Sequence, residues 1–191
     1  MAPPAPWTLA ATSLVWLAPP NGDAARALMP GVTGRPLAVT GAFVSYDETP
    51  VGPYDEVMGA IGLRHNRGVA GHIPFIAVDS EDSVRGGRDN WNLPKTLAAF
   101  TGHPLRSRSM TGTGEDWTVS ATARPLGPAL PARTAFKLLQ PGKTTRSTAR
   151  LRFRPALVTV RTSGTPAGWL RSGRYPGAVI EAFRSEFGAP E

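Results

Sequence analysis

The chain has 191 residues, 41% of them hydrophobic, no cysteine, and a formal net charge of +7. That is enough apolar chain for a proper core, so a single domain over residues 1–191 is expected, and the lack of cysteine excludes a disulfide framework, a thiolate nucleophile and a thiolate metal site. The charge is uneven: residues 1–105 carry seven bases and nine acids, and residues 106–191 carry fourteen bases and five acids.

The opening "MAPPAPWTLAATSLVWLAPP" holds an apolar run of signal-peptide length. No Lys or Arg precedes it and prolines bracket it, and it is too short to span a bilayer. It reads as a first strand, and the protein is expected to be cytoplasmic, with no membrane partner. "SLVWLA" (13–18) and "PLAVTGAFVSY" (36–46) are β-like runs flanking a short helix, "GDAARALMP", that stops at Pro30. "YDEVMGAIGL" and "HIPFIAVD" (72–79) read as strands. "DSEDSVRGGR" predicts a short helix with Ser80 as N-cap, Glu81 and Asp82 at the positive end of the dipole, and Gly86–Gly87 as terminator. Short strands broken by Gly/Pro turns follow: "PLRSRSM", "DWTVSATARP", "ARTAFKLLQ" and "RLRFRPALVTVRT". Apolar spacing in "PGAVIEAFRSEF" predicts a closing helix. The expected class is α+β, mainly antiparallel β: a curled sheet or β-barrel with a few short helices and a cavity for a small ligand.

Eleven bases and no acid lie between Asp116 and Glu181, and Arg150, Arg152 and Arg154 alternate with Leu151 and Phe153. This is the pattern of a solvated strand face, with a substrate or subunit contact as the alternative. Nucleic acid is not expected as a partner, because stacking aromatics are not interleaved along the basic segment. There is no G-x-S-x-G elbow, no phosphate-binding G-x-x-x-x-G-K-[ST] loop and no G-x-G-x-x-G after a strand. His65, His72 and His103 fall in no paired metal spacing, so neither metal nor cofactor is expected. His72, on a strand, reads as a hydrogen-bonded core or rim residue before it reads as an acid/base group.

"GGRDNWNLPKTLAAF" (86–100) holds the most informative residue. Lys95 is one of only three lysines and stands among Trp91, Leu93, Pro94 and Leu97. Pro94 fixes its own φ and forces Leu93 into an extended conformation, so the lysine sits on stiff backbone. An apolar site would disfavour the ammonium and lower its pKa, leaving an amine able to attack a carbonyl and form a Schiff base. A lysine snorkelling out of an apolar segment explains the same run. Lys137 and Lys143 read as surface or turn residues.

The stretches "VGPYDE" and "VDSEDSVRGGRDNWNLPKTLA" resemble the acetoacetate decarboxylase superfamily. Its G-x-Y-x-E segment, aspartate-bearing strand end, G-R pair and [FYL]-P-K segment followed by Leu match Gly52, Tyr54 and Glu56, then Asp79, then Gly87 and Arg88, then Leu93, Pro94, Lys95 and Leu97. The resemblance implies a cone-like, β-barrel-containing fold with a buried hydrophobic pocket, and a homo-oligomer. It also implies Lys95 as the Schiff-base lysine and Glu56 as the pocket carboxylate. Tyr54, Arg88, Trp91, Thr96 and His72 are the candidates for substrate-binding or supporting roles. Three positions depart from the family: Thr96 stands where a second lysine follows the nucleophile, the second pocket glutamate falls at or near Gly41, and no arginine occurs in "AATSL". The expected function is a lyase that uses Lys95 on a small keto acid or aldehyde, by decarboxylase, aldolase or dehydratase chemistry. A non-catalytic member binding a small apolar acid or carbonyl compound is the alternative.

Overall fold

The computed structural model describes residues 2–66 and 68–191. The Val-, Ile-, Thr- and aromatic-rich runs pair as strands. They are β1 (Trp7–Ala18), β2 (Arg35–Glu48), β3 (Tyr54–His65), β4 (Gly68–Val78), β5 (Lys95–Leu97), β6 (Ala99–His103), β7 (Ser109–Thr113), β8 (Trp117–Pro125), β9 (Leu130–Gln140), β10 (Lys143–Gly164) and β11 (Gly173–Pro190). Helix α1 (Gly22–Arg26) joins β1 to β2, helix α2 (Glu81–Trp91) joins β4 to β5, and a 3-10 turn (Thr165–Gly168) precedes β11. The described strands form one 11-stranded sheet in the order β11-β1-β2-β3-β4-β9-β10-β8-β7-β6. β10 also pairs with β11, so β1 to β4 and β9 to β11 return on themselves as a ring. Pairing is antiparallel except where β4 meets β5 and, through Gly71 and Leu138, β9. This is the mainly antiparallel, curled sheet expected from the sequence. No helix among the described residues is long and apolar enough to cross a membrane.

Side-chain alternation gives the sheet two apolar faces. Leu14 and Trp16 of β1 enter a core with Phe43, Val57, Ile61, Val119 and Val158. Trp7 and Leu9, on the same strand, join Ile73, Ile76, Trp91, Leu93 and Leu138 in a second cluster. A cavity opens beside that second cluster. Its lining comes from β1, β2, β3, β4, β9 and β11, all but one strand of the ring, together with Trp91 of α2, Leu93 and the start of β5.

Three sequence expectations change. "PGAVIEAFRSEF" is not a helix but most of β11, paired with both β1 and β10. Registers against both neighbours slip around Glu181–Ala182, so a bulge interrupts the alternation there. Val179 and Ile180 before the bulge and Phe183 and Phe187 after it thereby acquire helix-like spacing. Beyond the bulge the period is two, with Phe183, Ser185 and Phe187 all on the cavity. "PLRSRSM" is not one strand either, for Pro104–Arg108 form the turn between β6 and β7. Nor do Gly86 and Gly87 end α2. Ser80 caps its start as expected, accepting from the Ser83 N–H, but the helix runs on to Trp91. It stops at Asn92, which takes the left-handed conformation at φ 54° and donates its N–H to the Gly87 and Arg88 carbonyls. Lys143 Nζ donates to the Asp89 and Asn90 carbonyls at 2.7 and 2.9 Å, satisfying the same helix end. The two glycines instead let α2 approach its neighbours. A Cβ on Gly86 would lie 2.4 Å from the Trp7 ring, and one on Gly87 would lie 2.7 Å from Lys95 Cδ.

Arg150 and Arg152 are exposed, and Arg152 and Arg154 share Glu181. The basic run is thus largely a solvated strand face with local ion pairs.

Gly41 lies under the indole of Trp16, where an added Cβ would meet ring carbons at 2.0 Å. Trp16 is fully buried and cannot retreat. Gly41→Ala is therefore expected to destabilise the protein by about 1–3 kcal/mol, read as a lowered urea midpoint at unchanged slope; an unchanged midpoint would show that this core is loosely packed.

Candidate active site

Lys95 is the first residue of β5, and three local devices hold it. Pro94 stiffens the approach. β5 pairs in parallel with β4, setting Lys95 opposite Ile76. Arg88, near the end of α2, donates through Nε and a terminal nitrogen to the Lys95 carbonyl at 3.0 and 2.6 Å. The Lys95 stem then runs across Gly87, the one residue type that leaves room for it.

The side chain ends in a cavity of about 200 Å³. Lys95 and Glu56 are 4% and 3% exposed, and Nζ donates to Glu56 Oε2 at 2.8 Å. Nζ also donates to Ser83 Oγ at 2.9 Å and lies 5.0 Å from the centre of the Tyr54 ring. Tyr46 Oη donates to the second Glu56 oxygen in a long 3.4 Å contact. Glu56 stands on β3 opposite Val44 of β2 and Val78 of β4, so the neighbouring strands offer it no other charge. The rest of the wall is almost wholly apolar. Trp7, Trp91 and Phe187 stack edge to face in succession, with centroids 5.0 and 4.7 Å apart, and Phe136 carries the aromatic wall out to a partly exposed rim.

The charge state of Lys95 differs from the sequence expectation. Burial pushes its pKa down, as anticipated, but the carboxylate of Glu56 and the hydroxyl of Tyr54 push it up by more. The net direction is above the ordinary lysine value, and the resting lysine is an ammonium. Burial, with the charge of Glu56, raises the Tyr46 pKa well above the usual phenol value, and burial raises that of Tyr54 as well, so both stay protonated at neutral pH.

The structure brings Lys95, Glu56, Tyr54 and Trp91 together on the cavity. It places the other candidates elsewhere. Arg88 clamps backbone and does not line the cavity. Thr96, the next residue along an extended strand, is exposed on the far side. His72 is fully buried but off the cavity. Its Nδ1–H faces the Leu139 carbonyl at 2.9 Å, its Nε2 accepts from the Met29 N–H at 3.2 Å, and burial lowers its pKa, so it is a neutral core residue. Asp79 accepts the Asp55 N–H at 2.8 Å and staples the start of β3. Among the described residues no cluster of His, Asp and Glu is set to hold a metal ion.

Sequence reasoning missed Ser83 and Tyr46. Ser83 and Gly87 are four apart on α2 and face Lys95 together, a spacing that a helical reading of the segment makes visible. Tyr46 reaches the site because β2 and β3 pair Tyr46 with Tyr54 in antiparallel register, which only the folded sheet reveals.

Comparison with known proteins agrees with the fold. Residues 3–161 match the sequence profile of the family described as acetoacetate decarboxylase (ADC). An acetoacetate decarboxylase of Burkholderia cenocepacia is 32% identical over 87 aligned positions, which cover 42% of this chain and 34% of that protein. The chain thus matches about a third of the length of that curated relative. The fold is similar to that of the enduracididine biosynthesis enzyme MppR in complex with pyruvate, with a TM-score of 0.68 at 14% identity over 100% of this chain and 91% of that one. It is also similar to that of acetoacetate decarboxylase from Legionella pneumophila, with a TM-score of 0.62 at 13% identity over 99% and 88%.

Breaking the buried pair from one side leaves an uncompensated charge. Lys95→Met is expected to cost about 3–5 kcal/mol by chemical denaturation, and adding Glu56→Leu to recover most of that loss. Losses in the two single variants that add up to the loss in the double variant would mean that the two side chains do not interact.

Proposed function

The chain belongs to the acetoacetate decarboxylase family, and from that premise we propose that Lys95 is the nucleophile of a lyase-type enzyme that forms a Schiff base with a small carbonyl compound. One observation carries the reading. Lys95 is the only cationic side chain among the described residues lining an apolar cavity, and a carboxylate lies 2.8 Å from its Nζ.

The resting ammonium has no lone pair, so it must give up a proton before it can attack. Glu56 is placed to take it. Transfer from Nζ to Oε2 converts an ion pair into a neutral amine and a carboxylic acid, and loss of water from around the pair favours the neutral form. A carbonyl compound filling the cavity supplies that drying. The amine attacks the carbonyl carbon. Glu56 then returns the proton to the carbinolamine oxygen, which leaves as water, and the iminium forms with its charge facing the restored carboxylate. Ser83 and the Tyr54 ring position Nζ throughout. The iminium is an electron sink that can accept electrons from a departing carboxyl group or from a neighbouring C–H, so decarboxylation, aldol addition and dehydration all begin from it.

The missing second lysine, and the core-facing Gly41 where a second pocket glutamate would fall, favour a reaction other than decarboxylation of acetoacetate. The raised pKa of Lys95 favours a second reading, a binding protein in which the lysine stays an ammonium and holds a carbonyl oxygen.

Borohydride reduction in the presence of a panel of keto acids and aldehydes separates the two. Adduct mass on the peptide bearing Lys95, and not on those bearing Lys137 or Lys143, is expected; absence of adduct with every member would leave only the binding reading. Carbon dioxide release from acetoacetate then tells decarboxylation from the other reactions. Glu56→Gln is expected to lower turnover of whichever substrate is found by about 10²–10⁴-fold, while borohydride still traps the ligand on Lys95. Unchanged turnover would make Glu56 structural.

A further inference from the structure

We infer that the carbonyl compound taken up at Lys95 is uncharged and apolar, an aldehyde or ketone about the size of one aromatic ring, rather than a keto acid; this rests on the Schiff-base reading above.

The first ground is the charge balance of the site. Among the described lining residues Lys95 and Glu56 are the only charged side chains, and they neutralise one another. Schiff-base formation preserves that balance. An ammonium and a neutral carbonyl become an iminium and water, and the single positive charge still faces the single Glu56 carboxylate. A keto acid adds a second carboxylate to an apolar cavity with no cation to pair it. Burying such a charge unpaired is costly, whether the acid stays ionised or takes up a proton to enter.

The second ground is where the cations of this basic chain go. Arg184 sits between the cavity residues Phe183 and Ser185, but strand alternation turns it outward. It is exposed there, with its guanidinium 3.9 Å from Glu48. Arg88 is spent on the Lys95 carbonyl. On β1 the segment Ala10–Leu14 gives the cavity only Ser13, while Leu14 enters the other core. On β2 the cavity positions are Ala42, Val44 and Tyr46, and on β3 Tyr54 and Met58 flank Glu56, none of them a cation. Among the described residues, no strand of the lining offers a second cation to pair with a carboxylate.

The third ground is size and shape. The cavity measures about 200 Å³. A dry apolar cavity of about 150 Å³ is enough to hold benzene, so one ring and a carbonyl fit within it. The walls suit a flat ligand, for Trp7, Trp91, Phe187 and Phe136 form a continuous aromatic side running from the buried end to the rim.

The test compares matched neutral and acidic carbonyl compounds in borohydride trapping on the wild-type protein: methyl levulinate against levulinate, and benzaldehyde against 4-formylbenzoate. Each rate is divided by the rate with Nα-acetyl-lysine, which removes intrinsic reactivity. The neutral member of each pair is expected to label Lys95 at least about tenfold faster. Equal rates, or a faster acid, would overturn the substrate class and leave the Schiff-base reading standing. No label at Lys95 from any of the four would overturn the Schiff-base reading and this inference with it. A second arm needs no covalent chemistry. Toluene is expected to quench tryptophan fluorescence with at least about tenfold tighter affinity than benzoate, and equal affinities would contradict an uncharged, apolar ligand.

Discussion

A single buried ion pair, Lys95 to Glu56 at 2.8 Å, sets the conditions for everything around it. Two charges taken out of water stabilise a fold only when their geometry is good and their remaining hydrogen-bonding capacity is met. The surrounding structure meets both demands. Ser83 accepts a second hydrogen from Nζ, the Tyr54 ring faces the ammonium, and Tyr46 reaches the far oxygen of Glu56. Behind them, Gly87 makes room for the lysine stem and Arg88 grips its carbonyl. Helix α2 is therefore less a connector than a bracket, and its glycines serve close approach rather than termination.

The same pair explains why a lysine in an apolar cavity is not automatically a free amine. Burial and an opposed carboxylate act in contrary directions on Nζ, and here the carboxylate prevails in the resting protein. Under the proposed chemistry that is an advantage. The proton that must leave Nζ and the proton that must return to the carbinolamine oxygen are one proton, held throughout at Glu56. The site needs no second base and no change in its net charge for a neutral substrate. A keto acid disturbs this economy, because its extra carboxylate finds no partner among the lining residues described.

Much of this could be read in the linear sequence, and what could not has physical causes. Strands β1 to β4 follow from apolar, β-branched and aromatic runs bounded by turn residues, and the Ser80 cap follows from local side-chain chemistry. Pro94 and Lys95 stand out because a stiff backbone and a lone cation in an apolar run are both rare. Glu56 was reachable only by resemblance, since nothing in its own segment separates a buried carboxylate from a surface one. β11 was misread because the bulge at Glu181–Ala182 shifts its apolar residues into helical spacing. Tyr46 and the aromatic wall of Trp7, Phe183 and Phe187 come from strands distant in sequence, and only registry across the sheet unites them. Thr96 failed as a site residue for a simple reason: it follows Lys95 on an extended strand, so its side chain points the opposite way.

The central claim is that Glu56 governs the proton on Lys95. With only three lysines in the chain, each side-chain ammonium can be followed separately by NMR as pH is raised. Lys95 is predicted to titrate above the ordinary lysine value of about 10.4 in the wild-type protein. In Glu56→Gln, where burial acts without an opposing charge, it is predicted to titrate below that value. Lys95 titrating together with Lys137 and Lys143 in both proteins would contradict the account.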